Sequence, residues 1–292
     1  MNLLKTVALL GLLSGLLVGI CYWMIGGVTG VLIGIVLAEA MNLVSWFYSD
    51  KIALNTYRAQ PLSSEAAPEL HSMVQHLCDR AGLPMPQLYI VPTSAPNAFA
   101  TGRDPQHAAV AVTEGILQLL PEDELQGVLA HELSHIKNRD TLTQAVAATV
   151  AGAISSLTQI AQFYLIFGGS RRQQRSNPFM TLLTVIIAPV AATVIQMAIS
   201  RTREFAADAG AAKLTGNPRG LARALQRLDS AARNLPLQAN SAFEPLLIMN
   251  GFSGQRMAIL FSTHPSTEAR IQALLKLEQD IANFSSDSLL KP

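Results

Sequence analysis

Val128-Leu129-Ala130-His131-Glu132-Leu133-Ser134-His135-Ile136 is the stretch on which the reading of this chain turns. It has the form His-Glu-x-x-His in an apolar frame. Residues four apart on an α-helix are separated by about 40° around its axis. The spacing therefore predicts that His131 and His135 share a face and offer one imidazole each to a single ion. Glu132 lies one step round and can take a proton from a water at that ion. A helix start is legible upstream: Pro121 suits a first turn, and Glu122, Asp123 and Glu124 favour the positive end of the helix dipole. Leu125, Val128, Leu129 and Ile136 supply an apolar stripe. The pattern is that of a zinc hydrolase. The competing reading is an amphipathic helix with two surface histidines.

A catalytic zinc takes three protein ligands and keeps one position open, so a third ligand must come from another element. Downstream, Arg201-Thr202-Arg203-Glu204-Phe205-Ala206-Ala207-Asp208 places Glu204 and Asp208 four apart on one helix face. A carboxylate there can close the site. Asp208 can accept a hydrogen bond from a ligand imidazole and fix its tautomer. Alternatively, both acids pair with Arg201 and Arg203 on a solvated face.

The 292 residues are 50% hydrophobic and 14% charged. Soluble domains carry about 25% charged residues, so the shortfall points to a membrane. The net charge of +1 gives a nucleic-acid partner no global electrostatic support. Cys21 and Cys78 suggest neither a disulfide nor a cysteine metal site.

Residues from Thr6 to Met24 are nearly all apolar, and no small-x-small cleavage pattern follows. They predict an uncleaved transmembrane helix. The turn Gly26-Gly27-Val28-Thr29-Gly30 leads to a second apolar stretch ending near Phe47. Tyr22, Trp23, Trp46, Phe47 and Tyr48 sit at the run ends, where aromatic belts belong. Lys5 precedes this hairpin, and Lys51 and Arg58 follow it, which puts both ends in the cytoplasm. Glu39 and Asn42 fall inside the second span. Glu39 either faces the bundle interior, protonated or bonded to a polar neighbour, or serves a substrate or gating role. Two further apolar segments, about 142–167 and 179–199, flank Arg171-Arg172-Gln173-Gln174-Arg175. They either cross as third and fourth spans or lie against the domain as a helical arm.

From about Asp50 the composition is that of a soluble domain. Leu70, Met73, Val74 and Leu77 recur at helical spacing, and Gly82 suits the C-cap. Gln87–Val91, Asn97–Gly102 and Ala108–Val112 read as short strands. Helices are expected from Pro218 to about Ala232 and after Ser266, with Ile271, Leu274, Leu275 and Leu277 facing inward. Residues from Asn283 onward are expected to fray. The fold class is α+β and mostly helical, with two to four transmembrane helices and a small β-sheet. Its expected parts are a transmembrane hairpin (1–50), a first protease part (51–140), an apolar hairpin (141–200) and a second protease part (201–292).

The His-Glu-Leu-Ser-His helix, the Arg201–Asp208 block, Asn97-Ala98-Phe99-Ala100-Thr101-Gly102, Thr263-His264-Pro265 and the two N-terminal spans occur in one order. Together they resemble the HtpX family of membrane-integrated zinc metalloproteases and, more distantly, the eukaryotic CAAX prenyl endopeptidases. The resemblance covers nearly the whole chain. It implies a gluzincin-type domain, one Zn²⁺ per chain and an ATP-independent endopeptidase. It also implies a multi-pass protein of the bacterial inner membrane with its active site facing the cytoplasm. Its partners would be the lipid bilayer and unfolded or membrane polypeptides, cleared in quality control under stress. Glu204 becomes the third ligand beside His131 and His135, and Asp208 its neighbour. Glu132 is the expected general base. His264 is the expected oxyanion donor, against the plainer role of a helix-capping histidine. Asn97, Ala98, Phe99 and Ala100 are the expected substrate-binding edge, against an internal strand of the sheet. The arginines of the 171–175 loop depart from the positive-inside pattern if both later segments span. Two other functions compete: a non-enzymatic holdase or scaffold with a structural metal, and a peptidase dedicated to one lipidated substrate. Glu132 counts against the first, because a structural zinc needs no general base.

Overall fold

The structure is a computed structural model that describes residues 2–150, 201–234 and 265–289. Helices α1 (Asn2–Ile25) and α2 (Gly27–Thr56) form an antiparallel hairpin. Both contain stretches long and apolar enough to cross a membrane, Leu4–Tyr22 and Gly27–Tyr48. Gly34 sets their approach, since a Cβ there would lie 2.6 Å from the Val18 backbone. Small residues at such contacts let helices pack where no hydrophobic effect drives them together. Asn42 Nδ2 donates to Ser14 Oγ across the pair at 2.9 Å. Glu39 instead lies on the exposed face of α2.

Helix α2 does not stop where the composition changes near Asp50. It runs on to Thr56, because Ala53 and Leu54 are buried against the sheet. The sheet comprises β1 (Gln60–Pro61), β2 (Gln87–Val91), β3 (Ala98–Gly102) and β4 (Ala108–Thr113), in the order β1-β2-β4-β3. β4 is parallel to β2 and antiparallel to β3, which leaves β3 at an edge. Side chains alternate across a strand, and here both faces are covered. Ala98, Ala100, Val110 and Val112 join the main core, whereas Phe99, Ala109 and Ala111 pack with Ala53 and Leu54 of α2. That is why β3 and β4 show no polar/apolar alternation and are buried along their whole length.

The main core lies between the sheet and the helices α3 (Pro68–Ala81), α4 (Glu114–Leu119), α5 (Glu122–Lys137), α7 (Arg201–Thr215), α8 (Pro218–Asn234) and α9 (Thr267–Leu289). Gly82 caps α3 in the left-handed conformation, as its position predicts. Pro121 sits at the N-cap of α5 rather than inside its first turn. Helix α9 runs past Asn283 to Leu289, further than the polar composition suggests. Between α5 and residue 151 lies α6 (Thr141–Val150), the start of the third apolar segment. Its Val146, Ala147 and Val150 are buried with Leu9 and Leu13 of α1, and Thr143 meets Thr6 hydroxyl to hydroxyl at 2.9 Å. The rest of the apolar hairpin, with its arginine loop, lies outside the described residues, as do residues 235–264.

Candidate active site

Helix α5 presents His131 and His135 on the face that meets α7 and Glu132 one step round, toward β3, and all three are buried. Helix α7 presents Glu204 and Asp208 toward them, both 2% exposed. The solvated-face alternative for these two acids is thereby overturned. The close crossing of α5 and α7 is permitted by Gly210, where a Cβ would lie 2.6 Å from Ser134 Oγ.

The two imidazole Nε2 atoms are 3.1 Å apart, and each lies 3.6 Å from a Glu204 carboxylate oxygen. In a tetrahedral zinc site with bonds of about 2.0–2.1 Å, ligand atoms are separated by about 3.4 Å. Two imidazole nitrogens and a carboxylate at these separations therefore fit a metal ion, and these three residues form such a group.

Each imidazole turns its other nitrogen to a carboxylate. His131 Nδ1 donates to Asp208 Oδ1 at 2.9 Å, and His135 Nδ1 donates to Asp140 Oδ2 at 3.1 Å. A carboxylate only accepts, so each Nδ1 carries the hydrogen and each Nε2 is free to bind a cation. Arg270 of α9, 1% exposed, grips Asp208 with both arms, Nε to Oδ2 at 2.8 Å and Nη2 to Oδ1 at 2.7 Å. Its Nη1 also lies 3.9 Å from Glu204 Oε2.

The electrostatics follow from this wiring. Burial would lower the His131 pKa, but its hydrogen bonds to Asp208 and Glu204 outweigh that and raise it to about 9. The pocket thus favours a cation at this ring. Burial would raise Asp208, yet the charge and hydrogen bonds of Arg270 bring it down to about 2. Glu132 is pushed above the usual carboxylate range, chiefly by burial. Its Oε2 accepts the Ala100 N–H at 2.8 Å, which ties the helix to the edge strand.

The expected residues thus divide clearly. His131, Glu132, His135, Glu204 and Asp208 converge. Ala98, Phe99 and Ala100 lie on edge strand β3, and Asn97 immediately precedes it, its N–H donating to Thr113 Oγ1 at 2.8 Å. His264 lies outside the described residues. Three participants escape a motif reading. Arg270 had a signal: it falls on the stripe of Leu274 and Leu277, where a charge on a buried face demands a partner. Asp140 and Arg203 had none beyond their places at the two ends of the apolar hairpin.

A model of peptidase family M48 matches residues 64–278. A protease HtpX homolog of Trichormus variabilis is 67% identical over 287 residues, covering 97% of this chain and 99% of that one. One of Pyrococcus furiosus is 50% identical over 279 residues, covering 95% and 96%. Among solved structures, S. mikatae Ste24p is similar with a TM-score of 0.52 at 20% identity over 94% of this chain. The chain spans 65% of that protein's length, and the likeness is one of fold. With a metal-fitting cluster at the centre of the matched region, the chain belongs to peptidase family M48, among its HtpX membrane metalloproteases.

Proposed function

We propose that this protein is a zinc endopeptidase that cleaves misfolded or damaged membrane polypeptides during stress. The observation that carries the reading is the convergence of His131 Nε2, His135 Nε2 and the Glu204 carboxylate, with Glu132 in the next helical position. His131, His135 and Glu204 would hold Zn²⁺, as two imidazoles and one carboxylate suit that ion. Bound there, zinc supplies an acidified water and polarises the scissile carbonyl.

The chain's own residues do the rest. Glu132 takes the proton of the attacking water and passes it to the leaving amine. Its raised pKa suits both tasks, since the base must hold the proton before releasing it. The Ala100 N–H fixes one carboxylate oxygen of Glu132 and leaves the other for the water. Substrate backbone adds to the edge of β3 between Ala98 and Ala100. The edge beyond is closed, because the Thr141 hydroxyl donates to the Gly102 carbonyl at 2.8 Å. His264 stabilises the oxyanion. It stands three residues before α9, whose Arg270 Nη2 reaches within 3.4 Å of His131 Nδ1.

In the membrane we read residues 1–50 as a hairpin with both ends in the cytoplasm of a bacterial inner membrane. The catalytic domain is assembled there from 51–140 and 201–292. Residues 141–200 enter the bilayer as a second hairpin, a reading supported by the packing of α6 on α1.

Glu132→Gln is the deciding variant. It is expected to retain zinc and to lose cleavage of an unfolded, casein-like substrate by at least 10²-fold, within the range of proton-transfer catalysis. Chelation should abolish wild-type cleavage and added zinc restore it. Wild-type rates in purified Glu132→Gln would eliminate this mechanism and favour a holdase. Failure to cut any generic unfolded membrane protein would favour a dedicated peptidase for a lipidated substrate.

A further inference from the structure

The two imidazoles are held by matching but unequal relays. His131 leans on Asp208, which Arg270 grips with two hydrogen bonds. His135 leans on Asp140, and behind Asp140 stands Arg203, with Nη1 4.0 Å from Oδ1. Asp140 is 1% exposed and Arg203 8%. All three guanidinium nitrogens of Arg203 are buried without a hydrogen bond among the described residues.

A buried guanidinium with no hydrogen bonds is costly, and burial accordingly lowers its pKa. No packing need explains it, since an apolar side chain would fill the same space more cheaply. What it contributes is charge, directed at Asp140 and at Glu204. The backbone delivers Asp140 with equal care. Arg139 takes a left-handed conformation, φ 56°, which a non-glycine residue adopts only at some cost. The turn brings the Asp140 N–H onto the His135 carbonyl at 2.9 Å, so residue 140 bonds both the backbone and the ring of residue 135. The Asp140 carbonyl in turn accepts the Gln144 N–H and opens α6.

We propose that Asp140, backed by the charge of Arg203, is a positioning residue that fixes the ring and tautomer of His135 for metal binding. The inference rests on the metal-site reading above. The pair also brackets the apolar hairpin, Asp140 just before it and Arg203 just after. The aim of His135 is therefore tied to the seating of α6, which packs on α1.

Full-length protein in detergent micelles provides the test. Zinc affinity is read by chelator competition, geometry by the visible spectrum of the cobalt-loaded protein, and folding by circular dichroism. Asp140→Asn keeps the shape but loses the charge, and should bind zinc 10- to 100-fold more weakly with an altered cobalt band. Arg203→Met should weaken binding in the same direction. Arg203→Lys should recover affinity to within about threefold, because Arg203 acts here as a charge and not as a bidentate fork. Wild-type zinc affinity and an unchanged cobalt spectrum in folded Asp140→Asn and Arg203→Met would overturn the proposal. Glu204→Gln separates the two readings. If it loses zinc while Asp140→Asn does not, this inference alone falls; if it too binds normally, the metal reading falls and takes this inference with it.

Discussion

His131 carries a testable pH signature. Its pKa in the folded chain is raised to about 9 from an ordinary value near 6.5, so the proton it holds stabilises the metal-depleted fold. That contribution is complete below about pH 6.5 and is lost as pH rises through about 9. Protons and metal compete for the ring, so zinc affinity should move the opposite way and tighten across that window. Parallel thermal melts of metal-depleted protein and chelator competitions between pH 6 and 9 would check both signs. A flat zinc affinity would mean that His131 is no ligand. Arg270 sits behind this ring as the partner of two buried carboxylates. Arg270→Met would strip Asp208 of its guanidinium and leave only the His131 N–H against a buried carboxylate, a change that costs up to about 3–5 kcal/mol in comparable buried pairs. A clear fall in the thermal midpoint of the zinc-loaded protein is expected, and an unchanged midpoint would count against the relay.

At the scale of elements, the site depends on how closely α5 and α7 cross. Ser134 lies between the two histidines in sequence, and its hydroxyl is tied to the Ala130 carbonyl at 2.8 Å. It cannot swing away freely from a new methyl group on residue 210. Gly210→Ala should therefore push the helices apart and destabilise by about 1–3 kcal/mol, as overpacking does. Zinc affinity should fall with it, because Glu204 and Asp208 ride on the displaced helix. Affinity and midpoint measured together on this variant decide the matter; neither should survive unchanged. In the membrane hairpin, Gly34 plays the corresponding role. Gly34→Leu should separate α1 from α2, which would show as increased protease sensitivity of the N-terminal region in micelles.

Two helices join the N-terminal apolar hairpin to the domain that carries the histidine and glutamate cluster. Helix α2 runs from the span into the sheet's outer face, and α6 runs from the end of α5 back to α1. Removal of residues 1–50 should thus expose Val146, Ala147 and Val150 without yielding a soluble enzyme. Membrane fractionation should find the truncated chain pelleted or aggregated, and an active soluble fragment would contradict this coupling. Cysteine labelling of the Arg171–Arg175 loop from each side addresses the second hairpin. Labelling from outside only is expected if residues 141–200 cross, and protection from outside would sink the four-span topology.

Much of this was legible in the chain itself, for local reasons. The His-Glu-x-x-His spacing, the Glu204/Asp208 pair, the helix caps and the apolar runs are properties of helical periodicity and turn chemistry. These act over a few residues and need no partner to be read. The sequence by itself therefore determined the histidine face of α5, the acidic face of α7, the two N-terminal helices long and apolar enough to cross a membrane, and strands β2, β3 and β4, whereas the two-residue β1 exists only by pairing with β2. Contacts far apart in sequence were decided only by tertiary structure. Whether Glu204 faced solvent or the histidines depended on the α5–α7 crossing that Gly210 permits. Neither Arg270 gripping Asp208 nor Asp140 and Arg203 meeting behind His135 follows from any local pattern. A buried charge is tolerated only where folding brings its counter-charge, and that partner can come from anywhere in the chain.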